Sequence, residues 1–135
     1  MLLRELQAAT KLALEETLRD AGLTLSQANV LTELTYGEAR TNAELARIYS
    51  VTPQTMIEIL SSLEHRGLIS RAAAPDGGRA RPAELTRQGQ SSVLTVHRAM
   101  RSVEEKLLSS LSPQDVSRLR RLLEECQTAL GGVPA

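Results

Sequence analysis

The segment VTPQTMIEILSSLEHRGLISR, residues 51–71, carries hydrogen-bonding side chains at helical spacing. On a helix that advances about 100° per residue, one face would hold Gln54, Glu58, Ser61 and His65. The amide of Gln54 can bond adenine through two atoms, and the carboxylate of Glu58 can accept from the amino group of cytosine. These residue types therefore suit a surface that reads the edges of DNA base pairs.

Neighbouring side chains extend this surface. Thr55 and Ser61 can hydrogen-bond to bases or to phosphates, and Ile57, on the flank of the helix, can contact a thymine methyl group. Glu58 has a second interpretation, because a carboxylate near phosphates is repelled. It is then either a solvated acid or a partner for Arg66.

The opposite face explains how such a surface could be held outward. Met56, Ile59, Leu60 and Leu63 cluster there and predict burial against a core. Thr52 is suited to cap the helix, Pro53 fits its first position, and Gly67 is suited to end it.

A second, shorter helix is predicted just before this one. Thr41 and Glu44 form a capping-box pattern, Leu45 and Ile48 are expected to point inward, and the helix ends near Tyr49. Only a tight turn then separates the two helices, which predicts a helix-turn-helix whose second helix enters the DNA major groove. Thr41, Thr52 and Pro53, at the two helix starts, belong to the predicted DNA-contacting set.

After Gly67 the pattern changes to two short strand-like runs around PDGG, which predicts a β-hairpin with Pro82 at an edge. We expect Arg79 and Arg81 at its tip to enter a narrow minor groove, and Arg71 at its base to hold a phosphate. The chain has a formal net charge of zero, but residues 66–87 hold five arginines against Asp76 and Glu84. The alternative is an arginine-rich loop that is merely solvated.

The flanking segments are amphipathic helices. The first runs from about Leu2 to Ala21, and a long helix follows Thr86 with Val93, Val96, Met100, Val103 and Leu107 on one stripe. A last helix starts at Ser112 and Pro113 and repeats the 3, 4 spacing of packed helices. We predict dimerisation through residues 1–22 and 86–131, with 23–85 as the DNA-binding lobe, and the dimerisation residues are Leu3, Leu6, Leu14, Leu111, Val116, Leu119, Leu123 and Cys126.

Several classes of protein do not fit the sequence. Of 135 residues, 41% are hydrophobic and only 1% aromatic, so the core must be aliphatic. Cys126 is the single cysteine and is expected to be packed on the apolar stripe, while His65 and His97 lack acids or cysteines at metal-ligand spacing. No catalytic constellation, cofactor motif, signal peptide or membrane span is visible, so we expect a cytoplasmic protein that is neither an enzyme nor bound to a membrane, a metal or a cofactor.

The chain resembles the multiple antibiotic resistance regulator (MarR) family. The resemblance rests on LTLSQANVLTEL, TNAELARIYSVTPQTMIEILSSLEHRGLISR and DGGRARPAELTRQG, and its order of elements covers almost the whole chain. It implies a mainly α-helical winged helix-turn-helix with a small β-hairpin wing and with N- and C-terminal dimerisation helices. It further implies a homodimer that controls bacterial transcription, usually by repression, and is often released by a small ligand or by oxidation.

Three positions depart from the family pattern. The wing acid, Asp76, lies one residue farther from Arg79 than usual, with Gly77 in its place. Ala28 stands where an aromatic residue is usual, and Cys126 lies far from the N-terminal helix in which redox-sensing members carry a cysteine. We therefore expect no redox role for Cys126.

Two functional hypotheses follow. The first is a homodimeric, sequence-specific regulator that binds a pseudo-palindromic operator on double-stranded DNA. A small hydrophobic or aromatic effector could enter a crevice beside the lobe, where Tyr36 and Tyr49 would supply the stacking, unless both are merely packed. The alternative is a winged-helix protein-interaction module that has lost DNA binding, which the zero net charge, Glu58 and the altered wing favour.

Overall fold

The computed structural model describes residues 1–36, 38–71 and 82–132. Within these residues six helices and one two-stranded sheet follow one another along the chain. They are α1 (Leu2–Asp20), α2 (Leu25–Leu34), α3 (Asn42–Ile48), α4 (Pro53–His65), β1 (Ile69–Arg71), β2 (Ala83–Leu85), α5 (Arg87–Leu108) and α6 (Pro113–Ala129). The predicted mainly helical fold with a small hairpin is confirmed.

The helix starts are set by side-chain caps. Thr24 and Thr41 each accept a hydrogen bond from the backbone N–H three residues on, and the Gln or Glu at that position bonds back to the cap. These reciprocal bonds satisfy backbone donors that a helix start otherwise leaves unpaired. Both capping boxes were predicted, and both are confirmed.

The core of the lobe is aliphatic. Leu31, Leu45, Leu60 and Leu63 are completely buried, and Met56 is 1% exposed. Burying side chains of this size stabilises the fold by about 1.5–3 kcal/mol each, so Met56, Leu60 and Leu63 anchor the inner face of α4. Ile59 packs only partly against this core.

The inward position predicted for Ile48 is wrong, because its side chain is 43% exposed. The α3 helix has only seven residues, and the buried ones are Leu45 and Ala46. The buried face of such a short helix is narrow, and Ile48, its last residue, lies outside that face.

The hairpin is attached to the rest of the lobe by a third backbone segment. Strands β1 and β2 pair antiparallel with Ile69 opposite Leu85 and Arg71 opposite Ala83. Arg40 also pairs with Ala83, with N···O distances of 3.2 and 2.7 Å for the two bonds. The sequence around Arg40 predicted only a loop between two helices, so this link between the start of α3 and the hairpin was not predicted.

The start of α5 is locked to the end of α4. The hydroxyl of Thr86 donates to the carbonyl of Gly67 at 2.6 Å and accepts from the N–H of Gly89. Gly89 lies so close to the backbone of Leu68 that a Cβ atom there would overlap its carbonyl oxygen. Glycine is therefore required at position 89 for this close approach.

The chain divides into two compact units, Met1–Arg101 and Ser102–Ala135. In α5 the buried residues are Val93, Val96, Ala99 and Val103. Met100 and Leu107, which were predicted to lie on the same stripe, are 47% and 46% exposed. In the single chain Ala99 is buried instead, and packing of Met100 and Leu107 along a seam that two chains could share stays a prediction.

The terminal helices bury little of their apolar surface within one chain. Leu18 is the buried residue of α1, and none is buried in α6. Leu3 and Leu6 are 49% and 45% exposed and Cys126 is exposed in the single chain, so packing of Cys126 at a dimer interface stays a prediction. None of the helices formed by the described residues has the length and apolar character to cross a membrane.

Candidate nucleic-acid interface

The first turn of α4 is built around the hydroxyl of Thr52. It accepts from the N–H of Thr55 at 3.1 Å and donates to the Thr55 hydroxyl at 2.9 Å. Pro53 follows at the first helical position, where its lack of an N–H costs nothing. Since Thr55 accepts from Thr52, its own O–H remains a donor to an outside group.

The predicted reading face of α4 is open to solvent. The exposed side chains include Gln54, Thr55, Ile57, Glu58 and Ser61, and Ile57 is 42% exposed. The inner residues Met56, Leu60 and Leu63 are at most 1% exposed. The helix is therefore fixed by its apolar side while its polar side is free to contact a partner.

The turn between α3 and α4 is a tight C-cap. The N–H of Val51 bonds to the carbonyl of Ala46 at 3.0 Å, and that of Ser50 bonds to Arg47 at 3.3 Å. This pair of bonds is a Schellman motif and places Ser50 at the left-handed position, with φ of 52°. A serine there is unusual, because glycine adopts this conformation without steric cost.

Asn42 adds a bond across the turn that sequence reasoning missed. Its Nδ2 donates to the carbonyl of Pro53 at 3.2 Å, which ties the start of α3 to the start of α4. Thr41, beside it, is half-buried, and its hydroxyl caps α3 by accepting from Glu44. Thr41 therefore orients the helix pair, and a contact from Thr41 to DNA stays a prediction.

Arg71 is engaged within the chain. Its Nε lies 3.0 Å from Oε2 of Glu64, an ion pair that lacks the alignment of a hydrogen bond. Its Nη2 lies 3.5 Å from the hydroxyl of Ser61, and the side chain is only 15% exposed. Arg71 thus joins strand β1 to α4, and a phosphate contact from it remains a prediction.

Glu58 is not paired with Arg66. The guanidinium of Arg66 instead donates to the carbonyl of Gly22 at 2.7 Å and to Gln27 Oε1 at 3.4 Å. The carboxylate of Glu58 is therefore left on the exposed face of α4. The predicted tip arginines Arg79 and Arg81, and the shifted acid Asp76, lie outside the described residues.

A cavity of about 400 Å³ lies beside the hairpin in the first unit. Apolar walls come from α2, β2 and α5, and polar groups stand between them. The lining residues are Leu34, Thr35, Glu38, Ala39, Glu84, Leu85, Gln90, Val93, Leu94 and His97. The two tyrosines expected to stack on a ligand are not among them.

The tyrosines instead have separate environments. Tyr36 is 80% exposed. The hydroxyl of Tyr49 donates to the carbonyl of Asn29 at 2.7 Å, and burial, aided by the charge of Glu33, raises its pKa. Tyr49 is therefore a packed, protonated residue whose ring joins α3 to α2.

Metal ligation has no support among the residues that the structure describes. His65 and His97 are both exposed, and these residues contain no group of three or more His, Cys, Asp or Glu side chains that could hold an ion. Among the described residues, the exposed polar face of α4 and the cavity beside the hairpin are the strongest candidate sites.

The chain is similar in sequence to known regulators. The model of the MarR family matches residues 21–80. The HTH-type transcriptional repressor Rv2887 of Mycobacterium tuberculosis is 32% identical over 124 residues, which cover 92% of this chain and 89% of that protein.

Solved structures of Rv2887 show the same fold. Its complex with DNA has a TM-score of 0.79 at 30% identity and covers 93% of this chain and 94% of that one. Its complex with salicylic acid has a TM-score of 0.76 at 32% identity, with 93% of each chain covered. With its helix-turn-helix, its hairpin and these relatives, the chain belongs to the MarR family.

Proposed function

We propose that this protein is a homodimeric, sequence-specific transcriptional repressor that binds double-stranded DNA. The observation that carries the proposal is the two-sided nature of α4. Met56, Leu60 and Leu63 are buried along one side, while the exposed side carries Gln54, Thr55 and Ser61, which can hydrogen-bond to base edges. The relative Rv2887, solved with DNA, supports the same use of this fold.

The residues predicted to bind DNA fall into groups that are proposed to contact base edges, the DNA backbone or the minor groove. Gln54, Thr55 and Ile57 lie in the first turns of α4 and are proposed to contact base edges, since the N-terminal part of such a helix enters the major groove. Ser61 and Arg71 bond to each other and would meet the backbone together. Arg79 and Arg81 are proposed to supply the charge on which affinity depends.

Thr41, Thr52 and Pro53 would act mainly by orienting the two helices. Glu58 stands on the same open face as Gln54. Because a carboxylate among phosphates is unfavourable unless it accepts a hydrogen bond, Glu58 would favour a cytosine at its position.

Dimerisation is proposed to use residues 1–22 and 86–131, with residues 23–85 as the DNA-binding lobe. Leucines of α1 and α6 support this division, because Leu6 is 45% and Leu123 is 48% exposed in the single chain. Apolar side chains exposed in rows usually mark a protein–protein interface. Two lobes would then read a pseudo-palindrome with half-site centres about 34–36 Å apart.

Regulation is proposed to act through the cavity beside the hairpin. Rv2887 has been solved with salicylic acid, which supports a small-molecule effector for this chain. The cavity volume of about 400 Å³ is within the range of ligand sites. An effector there would touch β2 and the segment that leads into α3.

The test is selection of bound DNA from a random pool with the full-length protein, followed by anisotropy titrations. We expect a pseudo-palindromic site bound at least about a thousandfold more tightly than random DNA. Equal affinity for selected and random DNA at every salt concentration would overturn the proposal and favour a protein-interaction module.

Substitution of Gln54 tests sequence-specific DNA binding more directly, because Gln114 occupies the equivalent position in another helix and serves as a control. Gln54 follows Thr52-Pro53, and Gln114 follows Ser112-Pro113, at the equivalent position of α6. Gln54→Ala should lose about 1–3 kcal/mol of discrimination at one base pair of each half-site. Gln114→Ala should leave both affinity and sequence choice unchanged.

The charge contribution of the wing has its own measurement. Replacing both Arg79 and Arg81 by Ala should weaken binding to selected and random DNA alike and reduce the slope of log affinity against log salt. An unchanged slope would assign the charge contribution to other residues.

A further inference from the structure

The cavity beside the hairpin combines apolar walls with an acidic side. Leu34, Leu85 and Val93 supply apolar walls, while Glu38 and Glu84 bring carboxylates to the same space. Of the described residues that line it, none is a lysine or an arginine. A ligand with a hydrophobic body would therefore meet negative charge at this side.

The guanidinium of Arg40 lies next to the acidic side of the cavity, but it already pairs with two carboxylates of the chain. Its Nη2 lies 3.6 Å from Oε1 of Glu33 and 3.7 Å from Oε2 of Glu38. The carboxylates of Glu33 and Glu38 thus share one guanidinium, while Glu84 lines the cavity itself. An added anion would have to compete with these two carboxylates for Nη2 of Arg40, and the buried Nε of Arg40 makes no hydrogen bond to the described residues.

We propose, building on the effector function proposed above, that this cavity takes a hydrophobic organic cation. Its aromatic or aliphatic body would lie against Leu34, Leu85 and Val93, and an amidinium or ammonium group would lie between Glu38 and Glu84. This differs in charge from the salicylic acid that Rv2887 has been solved with. The reason is that the carboxylates of Glu38 and Glu84 attract a cation and repel an anion.

Binding at this position would reach the DNA-reading helices directly. Glu38 lies two residues before Arg40, and Glu84 directly follows Ala83, the residue that pairs with Arg40. Thr41, the cap of α3, follows Arg40. A cation between the two carboxylates therefore acts on both sides of the backbone pair that joins the hairpin to the helix-turn-helix.

The experiment uses three probes that share a naphthalene body and carry a positive, a neutral or a negative planar group: 2-naphthamidinium, 2-naphthamide and 2-naphthoate. Calorimetry on the full-length protein without DNA measures their affinities at low and high salt. We expect the amidinium to bind about tenfold more tightly than the carboxylate, with the amide between them. The preference should shrink as salt is added.

The variant Glu38→Gln/Glu84→Gln assigns the preference to these two residues. Glutamine keeps the shape and removes the charge, so the amidinium should weaken and the carboxylate should strengthen until the two differ by less than about twofold. Glu104→Gln, which removes an acid outside the cavity lining, should keep the wild-type order. Thermal unfolding of each variant checks that the fold is retained.

Wild-type protein that binds the carboxylate as tightly as the amidinium, or that binds none of the three probes, would overturn the inference. So would a preference that survives in Glu38→Gln/Glu84→Gln. The proposed DNA-binding function is tested separately, by anisotropy on selected DNA without any probe. If the protein does not bind selected DNA, the calorimetric experiment still tests whether the cavity prefers a cation.

Discussion

Helices α4 and α6 begin in the same way and are used differently. Thr52-Pro53-Gln54 opens α4 and Ser112-Pro113-Gln114 opens α6. In each, the capping hydroxyl accepts from the third backbone N–H, at 3.1 Å for Thr52 and 3.2 Å for Ser112. Yet α4 buries three residues in its own chain and α6 buries none.

The difference teaches that the start of a helix says little about its function. What matters is which side the chain leaves uncovered. On α4 the uncovered side is polar and suits a hydrogen-bonding polymer such as DNA. On α6 it includes Leu122 and Leu123, 42% and 48% exposed, which suits another apolar surface.

The largest effect should come from the covered side of α4. Leu60 is completely buried, so Leu60→Ala should lower the free energy of unfolding by about 2–5 kcal/mol, through lost burial and the cavity left behind. Urea denaturation measures this. Ile57→Ala, on the exposed side of the same helix, should cost less than about 1 kcal/mol, and equal losses would contradict the two-sided description of α4.

The next effect concerns the uncovered side of α6. Leu123→Glu would place a charge in the proposed dimer interface, and we expect the dimer dissociation constant to rise at least about a hundredfold because an unpaired carboxylate is costly to bury. Sedimentation velocity over a range of protein concentrations gives the constant. Leu123→Met keeps the apolar character and should leave the dimer intact.

An unchanged dimer in Leu123→Glu would mean that α6 is not part of the interface. The two variants should also differ in how their loss of stability depends on protein concentration. Loss of stability in Leu60→Ala should not depend on protein concentration, whereas the effect of Leu123→Glu should do so, since association stabilises by mass action.

The sequence was most informative where the signal is local. Capping residues such as Thr41 and Ser112, and stripes such as Met56, Leu60 and Leu63, allowed the helices of the lobe to be predicted. Both depend on neighbours within a few residues, so one sequence contains all the information.

Contacts between distant segments could not be predicted in this way. The Arg40–Ala83 pair and the Arg71–Glu64 ion pair depend on how the hairpin meets the helices. Ile48 was misplaced for a related reason. A helical stripe gives a direction, but the neighbouring elements decide how wide the buried part is.

A smaller effect tests the shared helix start. Thr52→Ala and Ser112→Ala each remove a capping hydroxyl and should each cost about 1 kcal/mol of stability, measured by urea denaturation. They should differ in DNA affinity, because Thr52 also holds the hydroxyl of Thr55. We expect weaker binding to selected DNA only in Thr52→Ala, and equal weakening in both variants would contradict the different uses of α4 and α6.

The smallest effect lies at the turn that leads into α4. Ser50 occupies the left-handed position with φ of 52°, where α1, α4 and α6 have Gly22, Gly67 and Gly131 with φ of 72°, 74° and 80°. Ser50→Gly removes a steric cost of about 1–2 kcal/mol but makes the unfolded chain more flexible, which takes back about half of the gain. We therefore expect the free energy of unfolding to rise by about 0.5–1 kcal/mol.

Ser50→Ala is the control for this substitution, because alanine keeps the steric cost and removes the hydroxyl. It should leave the free energy of unfolding unchanged or slightly lower. If Ser50→Ala were strongly destabilising and Ser50→Gly equally so, the serine hydroxyl and not the backbone conformation would govern the turn. In that case the end of α3 would differ in kind from the glycine-terminated ends of α1, α4 and α6, and the orientation of α4 would depend on a side chain of the turn itself.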